Sequence, residues 1–385
     1  MNALLKLMVQ RGASALHLTV GAAPVLRVDG KLALTSQARL SPEQCESLVY
    51  SILNGEQKAH FERYGEIDTS FGVKGLARLR MTAFRQRGSV AATVRLVPTQ
   101  HPSLAELGLP SSVEALVGRV DRGLVLIAGY SGAGKSSTLA GIVDWTNRNR
   151  VIHLLTLDRA AEHVHFHERS IVNQIETGFD AGEFVAALAR VQRQDPDVIA
   201  IGDLDDPDTV PYALALAESG RLVAATLNSP DAVSALARLI DAFPPHRQAR
   251  ARSQLSLALQ GLIVQTLVPH ASFQGRVVAC EVLIPSPSVR VSIREGHLDE
   301  VSEAIRKAGV SMNQNLAALI AAGHVERNVG LASSPIPEEL ERLLDHSGAS
   351  TRPAAAPKGR SGFNPMRGLD ANEDLLPTGG GSKKT

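Results

Sequence analysis

Apolar and polar positions along the chain follow two different rhythms, and these predict its elements. Residues 2–12 place apolar side chains at helical spacing. The stretches 15–20 and 24–28 alternate as strands, and Asp29-Gly30 turns the second into Lys31-Leu-Ala-Leu as a hairpin. Ser41-Pro42-Glu43 opens a helix running to about Leu53, with a hydroxyl N-cap and proline at the first position. A second helical stretch covers 55–63, and strands are expected at 66–72, 76–86 and 89–96. Residues 1–100 therefore predict a small α+β domain. Residues 101–117 read as a linker holding a short helix.

From Leu124 the rhythm changes. Apolar runs at 124–129, 151–157, 198–202 and 222–227 alternate with helical stretches at 137–147, 182–194, 207–219 and 231–241. That alternation predicts a mostly parallel sheet covered on both faces. A helix at 247–259, a strand pair near 263–268 and 275–283, and helices at 286–295, 298–308 and 311–322 complete a second domain over 118–335. The remainder, 336–385, is expected to be a disordered tail, because Pro, Gly, Ser and Lys dominate 351–385.

One stretch carries chemistry: Gly123-Leu-Val-Leu-Ile-Ala-Gly129-Tyr-Ser-Gly-Ala-Gly134-Lys135-Ser136-Ser-Thr138. A buried strand runs into a Gly-rich loop and then a helix, and Gly129, Gly134, Lys135 and Ser136 complete the G-x-x-x-x-G-K-[ST] phosphate loop. Glycines let the backbone wrap a polyphosphate, so that N–H groups and a helix N-terminus point at negative charge. The residues expected around the phosphates are Gly129, Ser131, Gly132, Ala133, Gly134, Lys135, Ser136 and Ser137. Lys135 is expected to reach the β- and γ-phosphates of ATP, and the Ser136 hydroxyl to hold Mg²⁺.

Composition narrows the partners. A net charge of +1 gives no reason to expect nucleic acid or an anionic membrane, and 4% aromatics make base-stacking platforms improbable. The two cysteines, Cys45 and Cys280, form no C-x-x-C pair, which excludes a cysteine zinc module. No apolar run is long enough to span a bilayer, and Lys6, Gln10 and Arg11 interrupt the apolar N-terminus in a way that does not suit a signal peptide. A cytoplasmic protein without direct membrane insertion is the expectation.

Further motifs extend the loop into a pattern over residues 3–325. They include Ala13-Ser-Ala-Leu-His17-Leu-x-x-Gly21, Ala77-Arg78-Leu-Arg80, Asp195-Pro196-Asp197-Val-Ile-Ala-Ile-Gly202, Ala217-Glu218-Ser-Gly220, Arg238-Leu-Ile-Asp241-x-Phe243-Pro244 and Arg290-x-x-Ile293-Arg294-Glu295. In order and spacing the chain resembles the PilT and PilU retraction ATPases of type IV pili, in the secretion ATPase superfamily. The missing four-cysteine module favours the retraction branch. The resemblance implies a PAS-like N-terminal domain and a RecA-like ATPase domain with C-terminal helices. It also implies a homo-hexamer, or a mixed ring with a paralogue, that is peripheral at the inner membrane and works on the pilus platform protein.

The resemblance assigns roles, and the chain departs from the pattern at several of them. The family's T-I-E-D-P-I-E-F-V-H reads Thr156-Leu-Asp158-Arg159-Ala-Ala-Glu162-His163-Val-His165 here. Asp158 thus stands where the family's catalytic glutamate orients water. Gly-Glu-Met-Arg-Asp becomes Gly202-Asp203-Leu-Asp205-Asp206, and the two histidines of G-H-L-V-F-G-T-L-H-T become Arg221 and Asn228. Asp203 is expected to reach Mg²⁺ through water, beside Ser136. Arg80 and Arg95 are implied as the arginines that stabilise γ-phosphate charge, against the plainer role of strand salt bridges. Glu-to-Asp draws a carboxylate back by roughly one bond length, and misplacement of about 1 Å can cost on the order of a hundredfold in rate. Two readings follow: a motor, or a weakly active ATP-binding accessory subunit regulating a paralogous pilus ATPase. His163, His165 and His167 alternate as on a strand and read as a polar strand edge rather than a metal site.

Overall fold

A computed structural model describes residues 1–346, apart from 29–30, 74, 98–100, 160, 178–182 and 273–274. The Asp29-Gly30 turn and the Pro- and Gly-rich stretch 351–385 lie outside the described residues. Among the described residues the chain divides into two compact units, one built on Met1–Gln100 with 161–164, and one on His101–Arg159 with the chain from His165.

The first unit runs α1 (Asn2–Gln10), β1 (Ala15–Leu18), β2 (Val25–Val28), β3 (Lys31–Leu34), α2 (Pro42–Tyr50), α3 (Gly55–Tyr64), β4 (Glu66–Val73), β5 (Ala77–Gln86) and β6 (Ser89–Val97). Its sheet has the order β3-β2-β1-β6-β5-β4, with antiparallel neighbours throughout. Period-2 alternation decides its faces. Leu79, Met81 and Ala83 of β5 and Val90, Ala92 and Val94 of β6 point into a core completed by Leu5 and Met8 of α1, Val49 of α2 and Phe61 of α3. The intervening Arg80 and Arg95 therefore share the opposite face. Ser41 and Asn54 each start a helix with a capping box, answered by Gln44 and Gln57.

The second unit opens with α4 (Ser111–Arg119), β7 (Gly123–Gly129), α5 (Lys135–Asn149), β8 (His153–Asp158), β9 (Ile171–Glu176), α6 (Phe184–Arg190), β10 (Val198–Ile201), α7 (Val210–Glu218), β11 (Leu222–Asn228), α8 (Ala232–Asp241) and α9 (Pro245–Ala258). It continues with β12 (Leu259–Pro269), β13 (Arg276–Leu283), α10 (Pro287–Glu295), α11 (Asp299–Ala308), α12 (Met312–Ala321), α13 (Arg327–Ser333) and α14 (Pro337–His346). Strand order is β13-β12-β7-β11-β10-β8-β9, parallel except for the β12–β13 hairpin. Every residue of β7 is buried, because helices cover both faces. Leu124 and Leu126 join the core formed with α6 to α11, while Val125 and Ile127 face α4 and α5. Burying each such side chain contributes about 1.5–3 kcal/mol.

Four expectations need correction. Residues 101–117 are no free linker: Leu104, Leu109, Val113, Leu116 and Val117 are buried in the α4–α5 core. Residues 336–346 do not belong to a disordered tail. They form α14, whose Leu340 and Leu344 pack with Met312 and Leu316 of α12. The compositional bias begins only after this amphipathic turn, and the helix was missed for that reason. Strand β9 was also missed, since Ile171–Glu176 carries Asn173 and Gln174 among its apolar residues. His163, His165 and His167 lie in irregular chain rather than on a strand.

Both cysteines are free and buried, and burial pushes the Cys280 thiol up to about 12. Its neighbour Glu281 carries a more consequential shift. Burial, then the nearby Asp231, raises its carboxyl to about 7, against the N–H groups of Ala232 and Met312 and the cation Arg306. Those N–H groups belong to the first residues of α8 and α12. A raised carboxyl holds its proton longer in the folded chain than in the unfolded one. Stability from this group is therefore full below the unfolded value of about 4.5 and falls as pH rises towards about 7. The span is worth up to about 3 kcal/mol. Melting temperature is expected to drop between pH 5 and pH 8, and Glu281→Gln to flatten the drop by about 5 °C in a dye-based thermal scan.

Candidate active site

The chemistry-bearing residues collect at one edge of the second sheet. Gly129 ends β7, Asp158 ends β8, Asp203 follows β10 and Asn228 ends β11. Parallel strands all finish at this edge, the usual place for a ligand in an open α/β sheet.

The loop from Gly129 to Gly134 is shaped by glycine conformations. Gly129, Gly132 and Gly134 take φ of 151°, 80° and 89°, and Gly134 is the N-cap of α5. A methyl on Gly129 would overlap the Gln265 carbonyl of β12. Gln265 itself is buried and clamps the loop from behind. Its amide nitrogen donates to the Ala133 carbonyl at 2.8 Å, and its amide oxygen accepts from Thr138 Oγ1 at 2.8 Å. With its back fixed in this way, the loop presents Ser131 and Gly132 to solvent and leaves Ser136 and Ser137 half-buried in the first turn of α5. The sequence reading did not single out Gln265. Its only signal was a polar residue inside the apolar run of β12.

Lys135 reaches back across the loop. Its ammonium donates to the carbonyls of Gly129 (2.9 Å) and Tyr130 (3.0 Å) and to Asn228 Oδ1 (2.6 Å). Asp158 ends β8 and Asp203 follows the neighbouring β10, and the Asp158 carboxylate lies directly over Gly202, where a Cβ would overlap it. Burial holds the Asp203 carboxyl above its ordinary range, partly offset by the Asp205 N–H that it accepts at 2.7 Å. Arg159 lies 3.9 Å from Asp203 and 3.6 Å from Asp206, with its guanidinium over the Phe184 ring. This arginine brings positive charge to the second carboxylate.

Arg80 and Arg95 are cross-strand partners on β5 and β6, and Arg80 makes a two-pronged ion pair with Asp68 of β4. Arg221 and Asn228 stand at opposite ends of β11, about 20 Å apart for a strand of this length. Only Asn228 belongs to the site. Arg221 donates to Ser219 Oγ at the other edge. Arg290 donates to the carbonyls of Ser256 and Leu257, closing the C-terminal end of α9. Among the described residues no group of three or more His, Cys, Asp or Glu side chains is arranged to hold a metal ion on its own. A cation here would share its ligands with phosphate and water.

This loop-and-carboxylate edge spans a chain whose residues 1–333 match the family model for type II/IV secretion system proteins. The chain belongs to that family. It is 38% identical to the type IV pilus retraction ATPase PilT of Pseudomonas aeruginosa over 341 residues, which is 88% of this chain and 98% of that one. It is 34% identical to the type IV pilus ATPase PilU of the same organism, over 89% of this chain and 90% of that protein. Among solved structures, the pilus retraction motor PilT with bound ADP superposes with a TM-score of 0.83 at 40% identity, covering 88% and 98% of the two chains. The family's phosphate loop, α/β architecture and order of elements are therefore this chain's as well. Among the described residues no helix is long and apolar enough to cross a membrane.

Proposed function

We propose that this chain is an ATP-hydrolysing motor of the type IV pilus, of the retraction type. The observation that carries the reading is the Gly129–Thr138 loop at the same sheet edge as two carboxylates, Asp158 at the end of β8 and Asp203 just after the neighbouring parallel strand β10. In this reading Gly129, Ser131, Gly132, Ala133, Gly134, Ser136 and Ser137 surround the phosphates with backbone N–H groups and hydroxyls, and Lys135 neutralises them. Hard oxygen donors suit Mg²⁺, and Ser136 and, through water, Asp203 would hold it. The cation would supply charge neutralisation across the β- and γ-phosphates. Asp158 orients the attacking water, and bond cleavage proceeds by positioning and electrostatics without a covalent intermediate.

Arg80 and Arg95 are assigned to γ-phosphate charge by resemblance. Asp68 would have to release Arg80 for that role. Six copies in a ring, or a mixed ring with a paralogue, would act on the inner-membrane pilus platform protein from the cytoplasmic side. The position of Arg159 beside Asp203 supports a second reading, an accessory subunit that binds ATP and turns it over slowly.

The test is thermal stability of the purified protein. With millimolar MgATP the melting temperature is expected to rise by several degrees over Mg²⁺ alone, since binding at about a hundred times Kd stabilises by about 2.7 kcal/mol. An unchanged melting temperature would overturn both readings.

A further inference from the structure

The Lys135 ammonium has three hydrogens to donate, and its contacts include three oxygen acceptors within 3.0 Å. Two of these acceptors are carbonyls of the loop itself and move only with it. The third, Asn228 Oδ1, comes from the end of another strand on an exposed side chain. A phosphate oxygen that takes a hydrogen from Lys135 most readily takes it from Asn228.

Asn228 is itself held. Its side-chain amide donates to Asp205 Oδ2, and its backbone N–H donates to Asp205 Oδ1 at 2.8 Å. Arg238 of α8 closes the set, donating to the Asn228 carbonyl at 2.7 Å and lying 3.4 Å from Asp205 Oδ1. Asp205 and Asn228 thus form one hydrogen-bonded unit.

We propose that Asn228, held in place by Asp205 and Arg238, competes with nucleotide phosphate for Lys135 and thereby weakens nucleotide binding and speeds ADP release. This rests on the proposed nucleotide site. Asn228 is a positioning residue here, acting on phosphate through Lys135. A bond of this kind, with one charged partner, accounts for about tenfold in affinity.

The experiment measures Kd and release rate of a fluorescent ADP analogue with Mg²⁺ on full-length protein. Asn228→Leu keeps the side chain's shape and removes the acceptor. It is expected to tighten binding about tenfold, mostly through slower release. A gain of affinity is not what a damaged fold produces. Asp205→Asn is expected to tighten binding in the native background and to add little on top of Asn228→Leu. Equal tightening in both backgrounds would mean that Asp205 acts only through its field, and would overturn the relay. Unchanged or weaker binding in Asn228→Leu would overturn the competition. Lys135→Ala separates the two levels. If it binds the analogue as well as the native chain does, the nucleotide site itself is wrong. If it loses binding while Asn228→Leu changes nothing, only the relay fails.

Discussion

Lys135→Ala is expected to lower steady-state ATP turnover at least about a hundredfold. The ammonium extends over the phosphate loop from the first residue of α5, donating to Gly129 and Tyr130 on one side and Asn228 on the other. Removing a single preorganised donor from developing charge typically costs about 10²–10³ in rate. The fold should survive, because the lysine is only half-buried and α5 begins at Gly134 without a side-chain cap. The same assay separates the motor from the accessory reading. Native turnover no higher than that of Lys135→Ala would reject an autonomous motor. A large gain in a doubly lengthened variant, Asp158→Glu with Asp203→Glu, would mark the native site as a weakened one.

Gly202→Ala is expected to reduce kcat by about a hundredfold while leaving nucleotide affinity within a few-fold. The new methyl would occupy the place of Asp158 Oδ1. A backbone obstacle would be costly to the fold, but this one is the tip of a short side chain that can turn away. Stability should therefore change little. The displaced carboxylate moves by about 1 Å or more, enough to lose the alignment of water with phosphate. The loop and Lys135 belong to other elements, β7 and α5, and are untouched. A kcat equal to that of the native chain, measured with the fold intact, would mean that catalysis does not use Asp158 where it stands.

The phosphate loop was legible because its function imposes both glycine backbone angles and a strand-to-helix context, and each leaves a mark in local sequence. Gly129, Gly132 and Gly134 do take the positive φ that the motif demands. The alternation of strands and helices after Leu124 likewise foretold the doubly covered sheet. Gln265 was not legible, because its task is set by contacts with Ala133 and Thr138, more than a hundred residues away along the chain. Glu281 was equally silent. Its shifted carboxyl depends on two helix starts, Ala232 and Met312, meeting one strand. Arg221 and Asn228 are close in sequence, yet the seven-residue strand β11 separates them, and only Asn228 reaches Lys135.

From sequence alone came the Gly129–Ser136 loop motif, the two-part order of elements and the family, since local backbone demands and residue spacing are written along the chain. Only the tertiary structure decided which substituted residues share a site. It set Arg159 beside Asp203, and joined Asp205 to Asn228 and Asn228 to Lys135. Those pairings depend on which strands the sheet makes neighbours, and strand order is settled by the packing of the whole domain rather than by any segment within it.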